Sequence, residues 1–251
     1  MKLIINADDF GLTNGVTYGI YDAIVHGIVT STTMMVTTSA SLLAAELIKE
    51  HPNLNVGLHF NLSLGEPLTK NKTLTNEHNR FIKPHILQFD TRYDEDEIYQ
   101  ELSAQYEKFL DLVGRRPTHI DSHLYIHEKF PKVNRQVIKF AEAHHLPVRG
   151  FATKDFPKTI FEKNFKVVKQ ETYETLLKKF KTLVTNNLEH EIVELMVHPG
   201  FIDNELLEIS SYSQLRNLEN QVLQSVEAKN FIIDNKITLI SFRDVKGVNN
   251  G

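Results

Sequence analysis

The chain has 251 residues, a formal net charge of −4 and no cysteine. This length suits one α/β domain with a large buried core, and the missing cysteine excludes a disulfide framework, a thiolate nucleophile and a thiolate metal ligand. A slightly acidic chain without a basic tract also argues against a nucleic-acid-binding surface.

Short apolar or β-branched runs alternate with longer amphipathic stretches along the chain, which predicts parallel strands joined by right-handed helical crossovers. About seven such βα units in one domain favour a closed or nearly closed barrel, because the first turn lacks the Gly-x-Gly-x-x-Gly pattern of an open dinucleotide-binding sheet. The predicted strands are 3–6, 32–37, 55–62, 119–127, 147–150, 192–198 and 237–241. The predicted helices are 14–26, 41–50, 94–113, 132–144, 173–187 and 212–229.

Two polar, aperiodic stretches, 66–93 and 150–169, interrupt this rhythm. Loops of this length are typical of lids or binding loops, and a surface insertion without a function is the alternative for either one. We expect residues 1–251 to form a single catalytic domain that carries both loops. The apolar part of the N-terminus is too short for a secretory signal and no later run reaches the length of a membrane span, so we expect a cytoplasmic protein without membrane contact.

The densest group of polar side chains lies at the end of the predicted strand 119–127. If this run stays extended, alternate side chains project from one face. Imidazole and carboxylate groups suit zinc and other first-row cations, and the same groups could instead move protons. Surface or hydrogen-bonded histidines are the usual alternative, but crowded polar groups on one face are costly without partners, so the pattern favours a metal site. The residues on this face are His119, Asp121, His123, Tyr125 and His127.

Other polar residues also fall at the carboxyl ends of predicted strands, which converge on one mouth in a parallel barrel. Asp8 and Asp9 end the first strand, where one carboxylate could bind a metal while the other accepts a proton from its water; a turn with a helix cap is the alternative. His59 and His198 end two further strands. Each could be a structural residue, but its position makes His59 a candidate ligand and His198 a candidate general acid.

Arg149 follows the short apolar segment at 147–148. It could hold the substrate or a carboxylate, and a surface salt bridge is the alternative.

Five sequence blocks resemble the YdjC family of carbohydrate deacetylases, which includes the bacterial chitooligosaccharide deacetylases. The resemblance runs from the first strand almost to the C-terminus, and the blocks in this order are highly specific. They are Asn6-Ala7-Asp8-Asp9-Phe10-Gly11, Gly27-Ile28-Val29-Thr30-Ser31-Thr32-Thr33, Gly57-Leu58-His59-Phe60-Asn61-Leu62, Pro117-Thr118-His119-Ile120-Asp121-Ser122-His123 and His198-Pro199-Gly200-Phe201-Ile202-Asp203.

This resemblance implies a distorted TIM-like (β/α) barrel, a homodimer, and hydrolysis of an N-acetyl group on a mono- or oligosaccharide with one divalent metal ion, usually magnesium. By the donor set alone, zinc, manganese or cobalt would bind at least as readily. Carried over by position, Asp8 is the proton acceptor and His198 protonates the leaving amine. The metal ligands that the resemblance implies are Asp9, His59 and His123.

The chain departs from the family at Tyr125, where many members have a histidine. We interpret this change as a substrate-facing detail, because a phenol can still donate a hydrogen bond. His119, Asp121 and His127 are expected to orient the ligands or the base. Two other functions stay open, which are a metal-dependent phosphoesterase and a non-catalytic sugar-binding protein.

Overall fold

The computed structural model describes residues 1–84, 92–168 and 170–245, which form one parallel sheet with helices packed against it. The strands are β1 (Lys2–Phe10), β2 (Ser31–Met34), β3 (Val56–Phe60), β4 (Ile120–Ser122), β5 (Ile160–Glu162), β6 (Ile192–Val197) and β7 (Thr238–Leu239). The helices are α1 (Asn14–His26), α2 (Ser41–Glu50), α3 (Glu95–Val113), α4 (Ile126–Lys129), α5 (Pro131–Ala143), α6 (Tyr173–Thr185), α7 (Asn204–Ile209), α8 (Arg216–Gln224) and α9 (Val226–Asp234).

Strand β1 is the centre of the sheet, whose order is β4-β3-β2-β1-β6-β5. All residues of β1 after Lys2 are buried, as expected for a parallel strand that is covered on both faces. One edge of β1 pairs with β6. Its other edge pairs first with β7, through Lys2 and Thr238, and then with β2, through Asn6 and Ser31.

The contacts of Arg149 show how strongly the sheet is curved. The backbone N–H of Arg149 donates to the carbonyl of Ile120 on β4 at 3.1 Å, so this residue lies beyond one end of the strand order. Its guanidinium nevertheless contacts Asp8 on β1 at 2.6 Å and Glu194 on β6 at 2.7 Å. In a flat sheet the four strand spacings to β1 would amount to about 19 Å. The parallel strands therefore curl into a half-barrel.

The expected parallel α/β fold is confirmed, but the described residues do not contain seven βα units. Six of the strands lead into helices, whereas β7 is followed by the 3-10 helix Phe242–Asp244. The predicted strand 147–150 is reduced to single bridges of Val148 with Ile120 and Phe151. The predicted helix 212–229 begins later and is divided into α8 and α9 by Ser225, whose extended backbone (ψ 150°) interrupts the helix.

The predicted loop 150–169 contains strand β5, which the sequence pattern missed. Its three residues pair with Val193, Glu194 and Leu195 of β6, and all three are only half-buried. A short strand at the end of the sheet order lacks the apolar run of a fully buried strand, so its sequence resembles a loop.

Two glutamates of α3 hold the segment that precedes this helix. The Glu101 carboxylate accepts the backbone N–H of Leu68 at 3.0 Å and of Thr69 at 2.9 Å. Glu97 accepts the backbone N–H of Thr73 at 2.8 Å. The predicted loop 66–93 is thus tied to α3 at Leu68, Thr69 and Thr73, and its residues 85–91 lie outside the described part of the chain. Among the described residues, no helix is both long and apolar enough to cross a membrane.

Candidate active site

The polar residues at the strand ends line one cavity of about 630 Å³. Asp8 and Asp9 reach it from β1, His59 from β3 and His198 from the residue after β6. These residues are far apart in the sequence, and the curvature of the sheet brings them together at the carboxyl ends of the strands. The predicted convergence is therefore confirmed for these four residues.

Three ligand atoms converge on the wall of this cavity. Asp9 Oδ1 lies 3.3 Å from His59 Nε2 and 2.9 Å from His123 Nδ1. The three atoms lie within 4.8 Å of one another, and one carboxylate oxygen with two imidazole nitrogens is a donor set that divalent cations bind. Asp9, His59 and His123 could therefore hold a metal ion.

A second set with suitable spacing consists of Asp8, His59 and Asp121. The guanidinium of Arg149 already lies between its carboxylates, with Nη2 2.6 Å from Asp8 Oδ1 and 2.8 Å from Asp121 Oδ2. The guanidinium compensates the two carboxylates, so this second set is poorly suited to a metal.

The backbone of Asp9 is in the left-handed region, with φ 76°. This conformation costs on the order of 1–3 kcal/mol for a residue other than glycine. This conformation points the two adjacent carboxylates in different directions. Asp8 binds Arg149, whereas Asp9 faces His59 and His123. Arg216 Nη2 donates to Asp9 Oδ2 at 2.6 Å, which leaves Oδ1 for the two histidines.

The charges around Asp9 keep its carboxylate ionised. Burial alone would raise its pKa, but Arg216 and the two histidines outweigh burial and hold the pKa well below its usual value. A buried carboxylate that stays ionised is ready to bind a cation.

His59 is oriented by Asp121 on the neighbouring strand. His59 Nδ1 lies 2.6 Å from Asp121 Oδ1, and the other oxygen of Asp121 accepts the Thr33 hydroxyl at 2.9 Å. With a proton on Nδ1, Nε2 faces Asp9 Oδ1, which is the orientation that a metal ligand requires. Burial opposes protonation of His59, but the charge and hydrogen bond of Asp121 raise its pKa to about 10, so a metal ion would have to displace a proton from Nε2 in order to bind there.

Arg149 is completely buried, so the alternative of a surface salt bridge is wrong. Its Nη1 and Nη2 donate to the two oxygens of Asp8 at 2.7 and 2.6 Å, and its Nε donates to Glu194 Oε1 at 2.7 Å. Burial raises the pKa of Glu194 to about 8 despite the nearby guanidinium. All three nitrogens of Arg149 thus bind carboxyl groups, and this residue fixes Asp8 rather than reaching the substrate.

His198 follows β6 and lines the cavity, where it is half-buried. Burial, reinforced by the positive charges of Arg216 and Arg149, lowers its pKa to about 4, so the ring is neutral at pH 7. Its Nδ1 is shielded from solvent and has no hydrogen-bond partner among the described residues. Its backbone N–H donates to Glu219 Oε2 at 2.5 Å.

The expectation that five alternate side chains of 119–127 share one face is wrong, because β4 ends at Ser122. Leu124 and Tyr125 have left-handed backbones, with φ 55° and 60°, and the chain then enters α4. This turn aims His123 at Asp9. It also separates His123 from His127, which lies on the helix.

His119 and His127 are buried away from the three converging ligand atoms. The ring of His119 stacks on Phe242 with centroids 3.7 Å apart. His127 Nδ1 lies 2.5 Å from Ser122 Oγ, and its Nε2 lies 3.3 Å from the carbonyl oxygen of Arg149. His127 thus supports the segment that carries Arg149, while His119 packs against Phe242.

Tyr125 lines the cavity at a basic rim. Its ring centroid lies 4.8 Å from Lys166 Nζ, 5.3 Å from Lys129 Nζ and 6.0 Å from Lys163 Nζ. Lys83 and Lys166 also line the cavity. A tyrosine with its ring among three ammonium groups fits a position that faces the substrate.

The sequence pattern missed several residues that contact the site. Arg216, Tyr212 and Glu219 belong to or precede α8, where alternating polar and apolar residues look like an ordinary amphipathic helix. Glu194 gave a usable signal, because a charged residue inside a buried strand is rare without a partner. Thr33 is a β-branched residue of a strand, and nothing in the sequence distinguishes it.

The fold and the site define a parallel α/β half-barrel with a candidate Asp-His-His metal site at the carboxyl ends of its strands. The model of the YdjC-like protein family matches residues 2–234, and the chain belongs to this family. It is 41% identical over 247 residues to carbohydrate deacetylase 2 of Listeria innocua, covering 98% of this chain and 99% of that protein. It is 36% identical over 250 residues to a carbohydrate deacetylase of Vibrio campbellii, covering 96% and 95% of the two proteins.

Two solved structures have a similar fold. A proposed cellobiose-phosphate cleavage protein from Enterococcus faecalis superposes with a TM-score of 0.84 at 32% identity, covering 96% of this chain and 97% of that chain. A family 4 carbohydrate esterase from Streptomyces lividans gives a TM-score of 0.54 at 11% identity, covering 98% and 96%, which shows a similar fold only.

Proposed function

We propose that this protein is a metal-dependent carbohydrate deacetylase that removes the N-acetyl group from an acetylated sugar such as a chitooligosaccharide. The observation that supports this most directly is that Asp9, His59 and His123 converge in the same cavity as Asp8 and His198. The names of the relatives support the class of reaction. We further propose that the chain is a single catalytic domain, and that it is cytoplasmic and forms a homodimer.

In this proposal, Asp9, His59 and His123 hold one divalent cation. The family resemblance favours magnesium. Two imidazoles and one carboxylate would bind zinc, manganese or cobalt at least as readily. When bound, the cation supplies Lewis acidity, which acidifies water and polarises the acetyl carbonyl. Arg216 holds Oδ2 of Asp9, which leaves Oδ1 as the oxygen that would hold the cation.

Asp8 is the proposed proton acceptor. Arg149 occupies one acceptor position on each of its oxygens, and Asn6 Nδ2 donates to Oδ1 at 2.9 Å. A carboxylate offers about four acceptor positions, so Oδ2 keeps one for the attacking water. The guanidinium thereby fixes the carboxylate without occupying it completely.

His198 is the proposed donor of the proton that the departing amine nitrogen takes. Because burial keeps its ring neutral at pH 7, His198 must receive a proton before it can give one. The water supplies this proton through Asp8, which lines the same cavity. The amide C–N bond then breaks as the nitrogen is protonated, and the products are the free amine and acetic acid, which ionises to acetate.

A metal-dependent phosphoesterase is the second candidate, and the lysines at the cavity favour it. Lys83 and Lys166 could bind a phosphate group, and the name of the Enterococcus faecalis protein refers to a sugar phosphate. The same lysines would equally suit a deacetylase whose sugar carries a phosphate, so phosphorylated sugars belong among the substrates tested. A non-catalytic sugar-binding protein would bind carbohydrate without forming a product.

The decisive experiment measures acetate release from diacetylchitobiose, its phosphorylated form and related N-acetylated sugars. Metal-loaded protein is compared with chelated protein and with Asp8→Asn. We expect chelation to abolish release and Asp8→Asn to lower it by about 10²–10⁴-fold, the usual contribution of a general base.

Asp155→Asn is the matched control, because Asp155 pairs with His145 on the surface at 2.6 Å. It should retain full activity. Phosphate release without acetate release would instead assign the phosphoesterase, and sugar binding without either product would assign the binding protein.

A further inference from the structure

Two residues from the C-terminal part of the chain contact His198, and one of them, Tyr212, also lines the cavity. Glu219 is completely buried, and its Oε2 accepts the backbone N–H of His198 at 2.5 Å. Its other oxygen accepts the hydroxyl of Tyr212. The ring of Tyr212 meets the ring of His198 edge-on, with centroids 5.6 Å apart and an interplanar angle of 64°. His198 is therefore held at its backbone and at its imidazole.

The Tyr212 hydroxyl also joins a third segment to this group. It accepts the backbone N–H of Val167 at 2.9 Å, and the adjacent Lys166 lines the cavity. One phenol oxygen thus connects α8, through Glu219, with the segment that precedes α6. Both segments therefore contact the residues that hold His198.

Packing alone does not account for a carboxyl group at position 219. Burial raises the pKa of Glu219 to about 7, although Tyr212 and the N–H of His198 act in the opposite direction. An apolar side chain of similar volume would avoid the cost of burying this group. Both oxygens of Glu219 instead accept hydrogen bonds, one from His198 and one from Tyr212. The carboxyl group therefore holds the backbone of His198 and the Tyr212 hydroxyl.

We infer that Tyr212 and Glu219 are positioning residues that fix His198 for proton delivery to the departing amine. This inference rests on the proposed function, in which His198 protonates the amine. Neither side chain hydrogen-bonds to Asp9, His59 or His123, so metal binding should not depend on the Tyr212 hydroxyl. Substrate binding should also change little when the ring of Tyr212 remains.

Tyr212→Phe tests the inference because it removes the hydroxyl and keeps the ring. We expect kcat to fall by about 10- to 100-fold, the effect of a small misplacement of a reacting group, with KM and the Kd for the metal changed less than about threefold. Tyr173→Phe is the matched control, since Tyr173 donates to Glu227 on the surface at 3.1 Å. Its kcat should equal that of the wild type.

A second pair of variants separates positioning from simple packing. In Glu219→Gln the amide oxygen can still accept the His198 N–H, and the NH2 group can donate to the Tyr212 oxygen. This variant should therefore retain most of the wild-type kcat. Glu219→Leu keeps the volume but cannot accept either bond, so its kcat should be as low as that of Tyr212→Phe. Equal kcat values for the Gln and Leu variants, or equal values for Tyr212→Phe and Tyr173→Phe, would overturn the inference.

Amide hydrogen exchange tests the same contacts without relying on catalysis. In Tyr212→Phe the amides of Val167 and His198 should exchange at least about tenfold faster. The Val167 amide loses its acceptor, and the His198 amide is bound by Glu219, which has lost the hydrogen bond from Tyr212. Unchanged exchange at both amides would refute the contacts themselves. If the wild type releases no acetate from any sugar while these amides respond as expected, the proposed function is wrong. The contacts of Tyr212 and Glu219 with His198 would still be confirmed.

Discussion

Arg149 offers the strongest test of how the buried charges of this fold are balanced. Its side chain is fully buried and contacts Asp8, Asp121 and Glu194 at 2.6 to 2.8 Å. Arg149→Met keeps much of the apolar volume and removes the charge. The carboxylates of Asp8 and Asp121 then lose the guanidinium that compensates them in the interior.

Breaking a buried ion pair from one side costs about 3–5 kcal/mol, because the remaining charge stays desolvated. Two carboxylates share this guanidinium, so we expect a loss near the upper end of that range at pH 7. Such a loss is a large part of the roughly 5–15 kcal/mol by which folded proteins are stable. Glu194 should add little, since burial already raises its pKa to about 8 and leaves it mostly protonated at pH 7.

The loss should shrink at lower pH. Arg149 is the largest of the charges that hold the pKa of Asp121 below its usual value, so without it this pKa rises and the folded variant takes up protons at a higher pH than the folded wild type. The stability of the variant relative to the wild type therefore increases as the pH falls from 7 to 5.

Urea denaturation at pH 7 and pH 5 measures both effects, provided that the m-values of wild type and variant agree. Lys2→Met is the control, because Lys2 pairs with Glu191 at the surface and its loss should change stability by less than about 0.5 kcal/mol. A loss below about 1 kcal/mol for Arg149→Met at pH 7, or a loss that is equal at both pH values, would refute this account of the buried charges.

Two further predictions concern residues around the site. Burial lowers the pKa of His119 to about 3, below the unfolded value of about 6.5, so below pH 6.5 this residue destabilises the fold by about 1.4 kcal/mol per pH unit. His119→Phe should remove that slope, which urea denaturation between pH 7 and pH 4 would detect; parallel stability curves would contradict it. Glu101→Gln should cost about 1–3 kcal/mol and make residues 66–84 more susceptible to limited proteolysis, because an amide cannot accept all the N–H groups that the carboxylate binds. Equal cleavage rates in wild type and variant would show that Glu101 does not hold this loop.

The sequence by itself determined the alternation of strands and helices and the position of most site residues along it. The predicted helices 14–26 and 41–50 coincide with α1 and α2. Asp8, Asp9, His59 and His198 were placed at strand ends, and the structure brings all four to one cavity. These predictions succeed because hydrophobic periodicity is local, and because the carboxyl ends of parallel strands converge in any curved sheet.

Only the tertiary structure decided which way the side chains of 119–127 point. His123 faces Asp9 because Leu124 and Tyr125 leave the strand through left-handed backbones, which no alternation of residues predicts. The direction of a side chain depends on backbone angles, and a short run of polar residues does not specify where a strand ends.

The partners of the buried charges likewise depended on long-range contacts. Arg149 reaches Asp8 and Glu194 only because the sheet curls, and Arg216 reaches Asp9 across 207 residues of sequence. Local pattern fixes where a charge lies along a strand or helix, whereas the curvature of the sheet fixes which opposite charge it meets. For that reason the sequence identified the candidate ligands and the candidate base, and the fold supplied the groups that hold them in place.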